Sequence, residues 1–392
     1  MEEEVFSNLV IASERAIEGA QAYKFHRYLF DTIDKASEKF YNGVYGLRGV
    51  GKTVLLLQLA SKRKKSIYIP ADAKYLLQDS LYDIVNHVIA RGYENIFIDE
   101  IHSRKDWTTD LKTLYDEGKA KIFFSGSSSM ELKKGADLSR RAILRELKPA
   151  SFREYLNIKK GGDIERISIK ELFGIERRKE LTIKNIRWAE FLQEYYRYGG
   201  MLFQDIEKEF PKSISNILEK IVTVDLLHLR ELDIKVENDV YRLLYKIAAA
   251  GPYEGSYTNL ANYLGISKAT VIRLLSDLEK VGLLKQIFPV GLGFKKEPKI
   301  YMRIPFRYAL NDMSGKRTDT GVIREEFFAN NVEVEGYFKT KRGEKTPDFK
   351  VDGKTIEVGG KAKKTNAADY LAVDGVSFSE NRIPLFLFGF LY

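Results

Sequence analysis

The sequence predicts an α/β protein whose N-terminal part is a doubly wound parallel sheet, and three observations carry that reading. Short apolar runs at Gly43-Val44-Tyr45, Ser66-Ile67-Tyr68-Ile69, Asn95-Ile96-Phe97-Ile98 and Lys121-Ile122-Phe123-Phe124-Ser125 read as strands. Segments of helical period such as Leu81 to Ile89 alternate with them up to about Lys148, the order that produces a parallel sheet covered on both faces. A glycine-rich stretch joins the first strand directly to an aliphatic helix.

Residues 1 to about 40 read as helical, with Phe30, Ile33 and Phe40 among polar neighbours and packed on the sheet domain. The chain then reaches Gly46-Leu47-Arg48-Gly49-Val50-Gly51-Lys52-Thr53, which fits the phosphate-binding loop at every required position. Glycines at 46, 49 and 51 let backbone N–H groups turn inward around phosphate oxygens. Lys52 is placed to reach the β- and γ-phosphates, and Thr53 to offer its hydroxyl to magnesium. The helix from Val54 to Ala60 starts at the loop and aims its positive dipole end at the same anion. The domain is thus expected to be a P-loop NTPase taking ATP and Mg2+.

The run Asn95 to Glu100 ends in two adjacent carboxylates at the C-terminal end of a buried strand, where α/β sheets bind ligands. Asp99 is expected to hold magnesium, directly or through water, and Glu100 to orient and deprotonate the attacking water. The strand ending at Phe124 is followed by Ser125-Gly126-Ser127-Ser128-Ser129, so Ser125 or Ser127 could sense the γ-phosphate; a helix-capping turn reads equally well. In Ala136 to Ala142, Arg141 or Arg140 is the candidate for stabilising transition-state charge, within the chain or across a subunit boundary.

Composition narrows the classes. At 392 residues the chain needs two or three domains. With no cysteine, disulfides and thiolate metal sites are excluded, and four scattered histidines disfavour a histidine-rich metal site. The start Met1-Glu2-Glu3-Glu4 lacks the basic and apolar regions of a signal peptide, and no apolar run is long enough to span a bilayer, so a cytoplasmic protein is expected. The net charge of +9 is modest for 64 basic and 55 acidic side chains and only hints at nucleic acid. Ile383 to Phe390, interrupted by Pro384, reads as a buried final strand.

Together, the Gly46 loop, Asp99-Glu100-Ile101, Ser125-Gly126-Ser127, and Leu147 through Leu156 resemble the AAA-type archaeal and bacterial ATPases, and Tyr198-Gly199-Gly200 resembles a further element of that group. There a proline usually follows the glycines, whereas here Met201-Leu202-Phe203 does. The resemblance implies ATP binding and hydrolysis by a regulatory or DNA-associated ATPase, with a helical segment, a winged helix and a nuclease-like C-terminal domain behind the nucleotide domain. It also suggests a homo-oligomer. The expected domains are 1–150 for the ATPase, 151–238 for a helical lid, 239–305 for the winged helix and 306–392 for the nuclease-like part.

From about Ser151 to Lys235 the pattern is helical, and the aromatic stripe at Tyr195 and Tyr196 reads as core. Beyond it, Val240 to Ile247, Tyr257 to Leu264 and a helix opening at Ser267 form a helix-turn-helix pattern, with Gly265-Ile266-Ser267 as the tight turn. Val271, Leu274, Leu275 and Leu278 fall on one face of the third helix. Lys268, Thr270 and Arg273 fall on the other and are expected to enter a major groove of double-stranded DNA, with Lys295 and Lys296 of a wing on phosphates. Asp277 and Glu279 on the same helix weigh against this, since winged helices also serve as protein contacts.

In the last segment Glu325-Glu326 lies on a helix, and Thr346-Pro347-Asp348-Phe349 and Lys354 to Val358 read as strands joined by a turn at Asp352-Gly353. This resembles the PD-(D/E)xK nuclease core, which implies Asp348 and Glu357 as metal ligands and a lysine two residues past the glutamate. That position is Gly359, and Lys361 reaches the site only if the glycines bend the chain. An inactive domain that contacts DNA or protein is therefore expected. The leading function is an ATPase coupled to a DNA-associated half; the alternatives are an ATP-controlled metal-dependent DNA nuclease and a nucleotide-binding signalling module with a protein partner.

Overall fold

In the computed structural model, residues 1–126, 138–202, 209–226, 234–291, 296–339, 346–364 and 367–392 are described below. Ser127 to Ser129, Ala136-Asp137 and Lys295 from the sequence reading lie outside them. The chain divides into two compact units, 1–149 and 150–392.

In the first unit, helices α1 (Glu3–Ala20) and α2 (Phe30–Asp34) precede strand β1 (Tyr41–Tyr45). The chain continues through α3 (Lys52–Ser61), β2 (Ser66–Pro70), α4 (Leu81–Ala90), β3 (Asn95–Asp99), α5 (Trp107–Glu117), β4 (Lys121–Gly126) and β5 (Ala142–Glu146). All five strands are parallel, in the order β2-β3-β4-β1-β5. Ile67, Ile69, Ile96, Ile98, Ile122 and Phe124 face one core with Leu9 of α1, Ile84 and Val88 of α4, and Leu111 and Leu114 of α5. On the other side Phe97 stacks on Phe123 at 4.7 Å, and Leu55, Leu56 and Leu59 of α3 are fully buried. Both faces of the sheet are therefore covered, which is why its strands read as unbroken apolar runs. Of the three early apolar residues, Phe30 and Ile33 are buried while Phe40 is exposed.

The second unit opens with α6 (Phe152–Lys159), α7 (Ile169–Phe173), α8 (Ile175–Asn185), α9 (Leu192–Tyr198) and α10 (Phe210–Lys220). A capping box at Ser151 and Glu154 starts α6. The expected separate lid is not a layer of its own. Phe152, Tyr155, Leu156, Tyr195 and Tyr196 share a core with Phe327, Phe328, Phe388 and Phe390 from the C-terminal end. The sequence shows the aromatic face of these helices and not its partner, which lies far along the chain. The Gly199-Gly200 element closes back on the start of this unit: Gly200 O accepts the Ala150 N–H at 2.8 Å, and the Tyr195 hydroxyl donates to Ala150 O at 2.8 Å.

Next come α11 (Ile234–Ala250), α12 (Tyr257–Leu264), α13 (Lys268–Lys280) and an antiparallel pair, β6 (Leu284–Ile287) with β7 (Lys299–Met302), to which Tyr253 adds a bridge at Ile300. After α14 (Phe306–Met313) and α15 (Thr320–Asn331), strands β8 (Gly336–Tyr337), β9 (Phe349–Val351), β10 (Lys354–Gly359), β11 (Tyr370–Val373) and β12 (Arg382–Pro384) form a mixed sheet in the order β12-β11-β10-β9-β8. The last apolar run differs from the expected strand: pairing stops at Pro384, and Leu385–Phe390 forms a buried 3-10 turn. Proline has no N–H to extend the ladder. The turn seats Gly389 against Phe152 and Phe327, where a Cβ would come within 2.5 Å and 2.9 Å of side-chain carbons.

One buried ion pair joins the helix-turn-helix part to the mixed sheet. Arg307 of α14 donates to both carboxylate oxygens of Glu326 on α15, at 2.8 and 2.6 Å. Its remaining N–H groups go to the carbonyls of Ile247 (2.9 Å), Ala248 and Gly251 (3.1 Å) at the end of α11, and Glu326 also accepts the Met302 N–H of β7 at 2.7 Å. Both side chains are at most 2% exposed.

Candidate nucleotide-binding site

The loop between β1 and α3 has the conformation its glycines allow. Gly46 has φ +155° and lies so close to β5 that a Cβ would sit 2.4 Å from Leu147 O. Gly51, at φ +95°, is the left-handed residue that opens α3. Lys52 follows, its ammonium buried and donating to Gly46 O and Leu47 O at 3.0 Å each. Those carbonyls hold the lysine within the loop it would use to grip a phosphate.

Strand order brings the acids to the same end of the sheet. Asp99, the last residue of β3, accepts from Thr53 Oγ1 at 2.6 Å and from the Tyr68 hydroxyl at 2.8 Å, both on Oδ2, while Ser125 Oγ donates to Oδ1. Ser125 also accepts the Glu100 backbone N–H at 3.3 Å, so one hydroxyl joins the Asp99 carboxylate to the main chain of Glu100. Glu100 itself sits in the left-handed region at φ 49°, ψ 43°, uncommon for a residue with a Cβ, and its carboxylate lies 3.4 Å from His102 Nε2. A hydroxyl and a carboxylate beside a helix N-terminus form an oxygen donor set of the kind magnesium takes.

Three residues of this region escaped the sequence reading. Tyr68 is the buried hydroxyl-bearing residue in the middle of β2, and burial next to Asp99 pushes its pKa far up, so it remains a proton donor. Arg27, only 5% exposed, donates to Val50 O inside the loop and to Lys148 O at 2.7 Å, clamping the loop to the segment that follows β5. No local pattern marks it. His102 had a local signal, standing two residues after Glu100.

Arg141 requires a correction as a finger acting on its own subunit's nucleotide. It precedes β5 and its carbonyl accepts the Tyr41 N–H, at the opposite end of β1 from the phosphate loop. Its guanidinium pairs with Asp116 of α5, at 2.8 and 3.0 Å. Arg140 beside it is exposed.

In the helix-turn-helix part, Ser256 caps α12, Gly265 makes the turn at φ +72°, and Ser267 caps α13 through the Thr270 N–H. Val271, Leu274, Leu275 and Leu278 are buried, whereas Lys268 and Arg273 are exposed on the opposite face with Ala269 and Ile272. Thr270 is half-buried and its hydroxyl is shared with Ser267 at 2.8 Å, so it belongs to the cap. The two acids that weighed against DNA turn away from that face. Asp277 is buried, and Glu279 binds the backbone and side chain of Gln286 at 2.7 and 2.9 Å.

The acids of the mixed sheet converge, each with a partner in place. The β9–β10 register continues to place Asp348 opposite Glu357. Glu357 is held by Lys363 at 2.9 Å and Glu325 by Lys299 at 2.8 Å, while Asp348 Oδ2 accepts the Val358 N–H at 2.7 Å. Among the described residues no three histidine or acidic side chains are grouped to hold a metal. Glu357 and Asp348 thus already have partners, and it is Lys363, not Lys361, that reaches Glu357.

The parallel sheet with its phosphate loop and the helix-turn-helix define an ATPase-like AAA domain joined to a nucleic-acid-binding type of module. Residues 39–156 match the AAA domain family and residues 248–287 match the IclR helix-turn-helix domain. The uncharacterized protein MJ1637 of Methanocaldococcus jannaschii is 31% identical over 317 residues, which cover 72% of this chain and 66% of that protein, just under two thirds of its length. Among solved structures, the Aeropyrum pernix Orc1 protein in complex with DNA aligns at a TM-score of 0.30 and 12% identity over 76% of this chain and 92% of that one. AMPPCP-bound DnaA from Aquifex aeolicus aligns at 0.27 and 16% over 64% and 86%. No helix among the described residues is long and apolar enough to cross a membrane.

Proposed function

We propose that the chain hydrolyses ATP with magnesium and that its nucleotide state governs association of the helix-turn-helix part with duplex DNA. The observation that carries the reading is the hub at Asp99, where Thr53 from the phosphate loop, Ser125 from β4 and Tyr68 from β2 meet one carboxylate. Bound magnesium would neutralise phosphate charge, with Thr53 and Asp99 as its protein donors. Lys52 and the loop N–H groups bind and orient the phosphates. Glu100 takes the proton of the attacking water, and Ser125, bonded to the Asp99 carboxylate and to the Glu100 backbone N–H, would pass a change at the γ-phosphate to both residues.

For DNA, Lys268 and Arg273 are the side chains we assign to the groove: Asp277 and Glu279 turn inward from that face, and Glu297, 3.7 Å from the Lys268 ammonium, is the acid that phosphate would displace. The mixed sheet, with acids paired across β9 and β10, is read as a nuclease-like core kept for contact and not for cleavage. Assembly of several copies would let Arg140 reach a neighbour's nucleotide.

Phosphate release by the purified chain tests the proposal. Lys52→Ala and Glu100→Gln should each abolish turnover, and duplex DNA should change the wild-type rate. Turnover that survives both substitutions removes the assignment.

A further inference from the structure

The mixed sheet gathers three carboxylates, Glu325 on α15, Asp348 before β9 and Glu357 on β10, and two lysines point into the same place. Lys299 comes from β7 of the wing and is only 14% exposed, its ammonium 2.8 Å from Glu325. Lys363 comes from the loop after β10. Its stem lies across Gly359, where a Cβ would approach the Lys363 Cγ and Cβ to 2.6 and 2.8 Å. A side chain at 359 and the stem of Lys363 thus compete for one space. The loop is fixed for this purpose: Arg382 donates to Lys361 O at 2.6 Å and Lys363 O at 3.0 Å, and the Lys363 N–H closes a turn on Gly360 O at 2.9 Å.

We infer that Lys299 and Lys363 supply the positive charge of this cluster, so that it takes no divalent cation and instead ties the wing strand, α15 and the sheet into one charge-balanced core. The charges support a closed account. Three acids face two ammoniums: each glutamate is held by one of them, and Asp348 accepts the Val358 N–H at 2.7 Å. Hard cations need several oxygens free to converge. Here each glutamate already holds an ammonium in hydrogen-bond contact.

The test is thermal unfolding of the nucleotide-free chain with and without millimolar Mn2+, comparing wild type with Glu357→Gln, Lys363→Met and the double variant Lys299→Met/Lys363→Met. Wild type and Glu357→Gln should respond to Mn2+ alike, because any response they share arises elsewhere in the chain. The double variant, left with uncompensated acids, should gain a Mn2+-dependent rise of several degrees. A wild-type rise that Glu357→Gln removes would overturn the inference, as would plasmid cleavage by the wild type that Glu357→Gln or Lys363→Met abolishes. A double variant that folds and ignores Mn2+ would overturn it as well. Should the double variant not fold, the comparison of wild type with Glu357→Gln and Lys363→Met still decides.

Discussion

Tyr68→Phe is a narrow perturbation of the nucleotide site, because it deletes one hydroxyl and leaves a buried ring that is 8% exposed. That hydroxyl donates to Asp99 Oδ2 at 2.8 Å, the oxygen that also receives Thr53. A hydrogen bond to a charged group contributes roughly 1.5–3 kcal/mol. In a unit of this size each kcal/mol moves the melting temperature by about 2–4 °C. Tyr68→Phe should therefore lower the melting temperature of the first unit by roughly 3–12 °C. Because Asp99 would lose one of three groups that orient it, magnesium-supported turnover should fall by about 10- to 100-fold, the usual cost of removing a group that positions a metal ligand. Differential scanning fluorimetry and phosphate release across a magnesium titration measure the two effects separately. Unchanged melting together with an unchanged magnesium dependence would refute the claim that this hydroxyl organises Asp99.

Further outcomes are expected in the second unit. Glu326→Gln leaves the Arg307 guanidinium buried without its counter-charge and should cost about 3–5 kcal/mol in urea unfolding; a loss below about 1 kcal/mol would show the pair to be dispensable. Asp348 is raised in the folded state from 3.8 to about 7, so the protonated form is favoured by folding. Its contribution is full at acid pH and is lost as pH rises through about 7, at on the order of 4 kcal/mol as an upper bound. Asp348→Asn, which keeps an oxygen for the Val358 N–H, should thus be more stable than wild type above about pH 8 and gain little near pH 4; a gain equal at both pH values contradicts the assignment. Lys268→Ala with Arg273→Ala should weaken duplex DNA binding and flatten its salt dependence. Fluorescence anisotropy showing no change in slope would exclude this face.

Much of the nucleotide half was legible in the chain because its chemistry is local. The glycine loop, the acids at the end of β3 and Ser125 near the end of β4 are short segments whose convergence follows from their spacing and from parallel strands bringing their C-terminal ends to one edge. Helices α12 and α13 were legible for a similar reason, since caps, turn glycine and apolar face all lie within one short stretch. What sequence missed are contacts between distant positions. Arg27 reaches Val50 and Lys148, and Tyr68 reaches Asp99 only because β2 pairs with β3.

The same division runs through the whole protein. The sequence by itself determined the parallel α/β sheet, the phosphate loop and the helix-turn-helix, because backbone propensity, glycine conformation and apolar period act over a few residues. Tertiary structure alone decided that the helices after Ser151 share the core of the C-terminal sheet, that Arg141 lies at the far end from the phosphate loop, and that Lys363 fills the space over Gly359. The first two depend on segments far apart in the chain, and pairing at such distances leaves no periodic trace for a sequence to show; Lys363 folds back over nearby Gly359 in a turn held from a distance by Arg382.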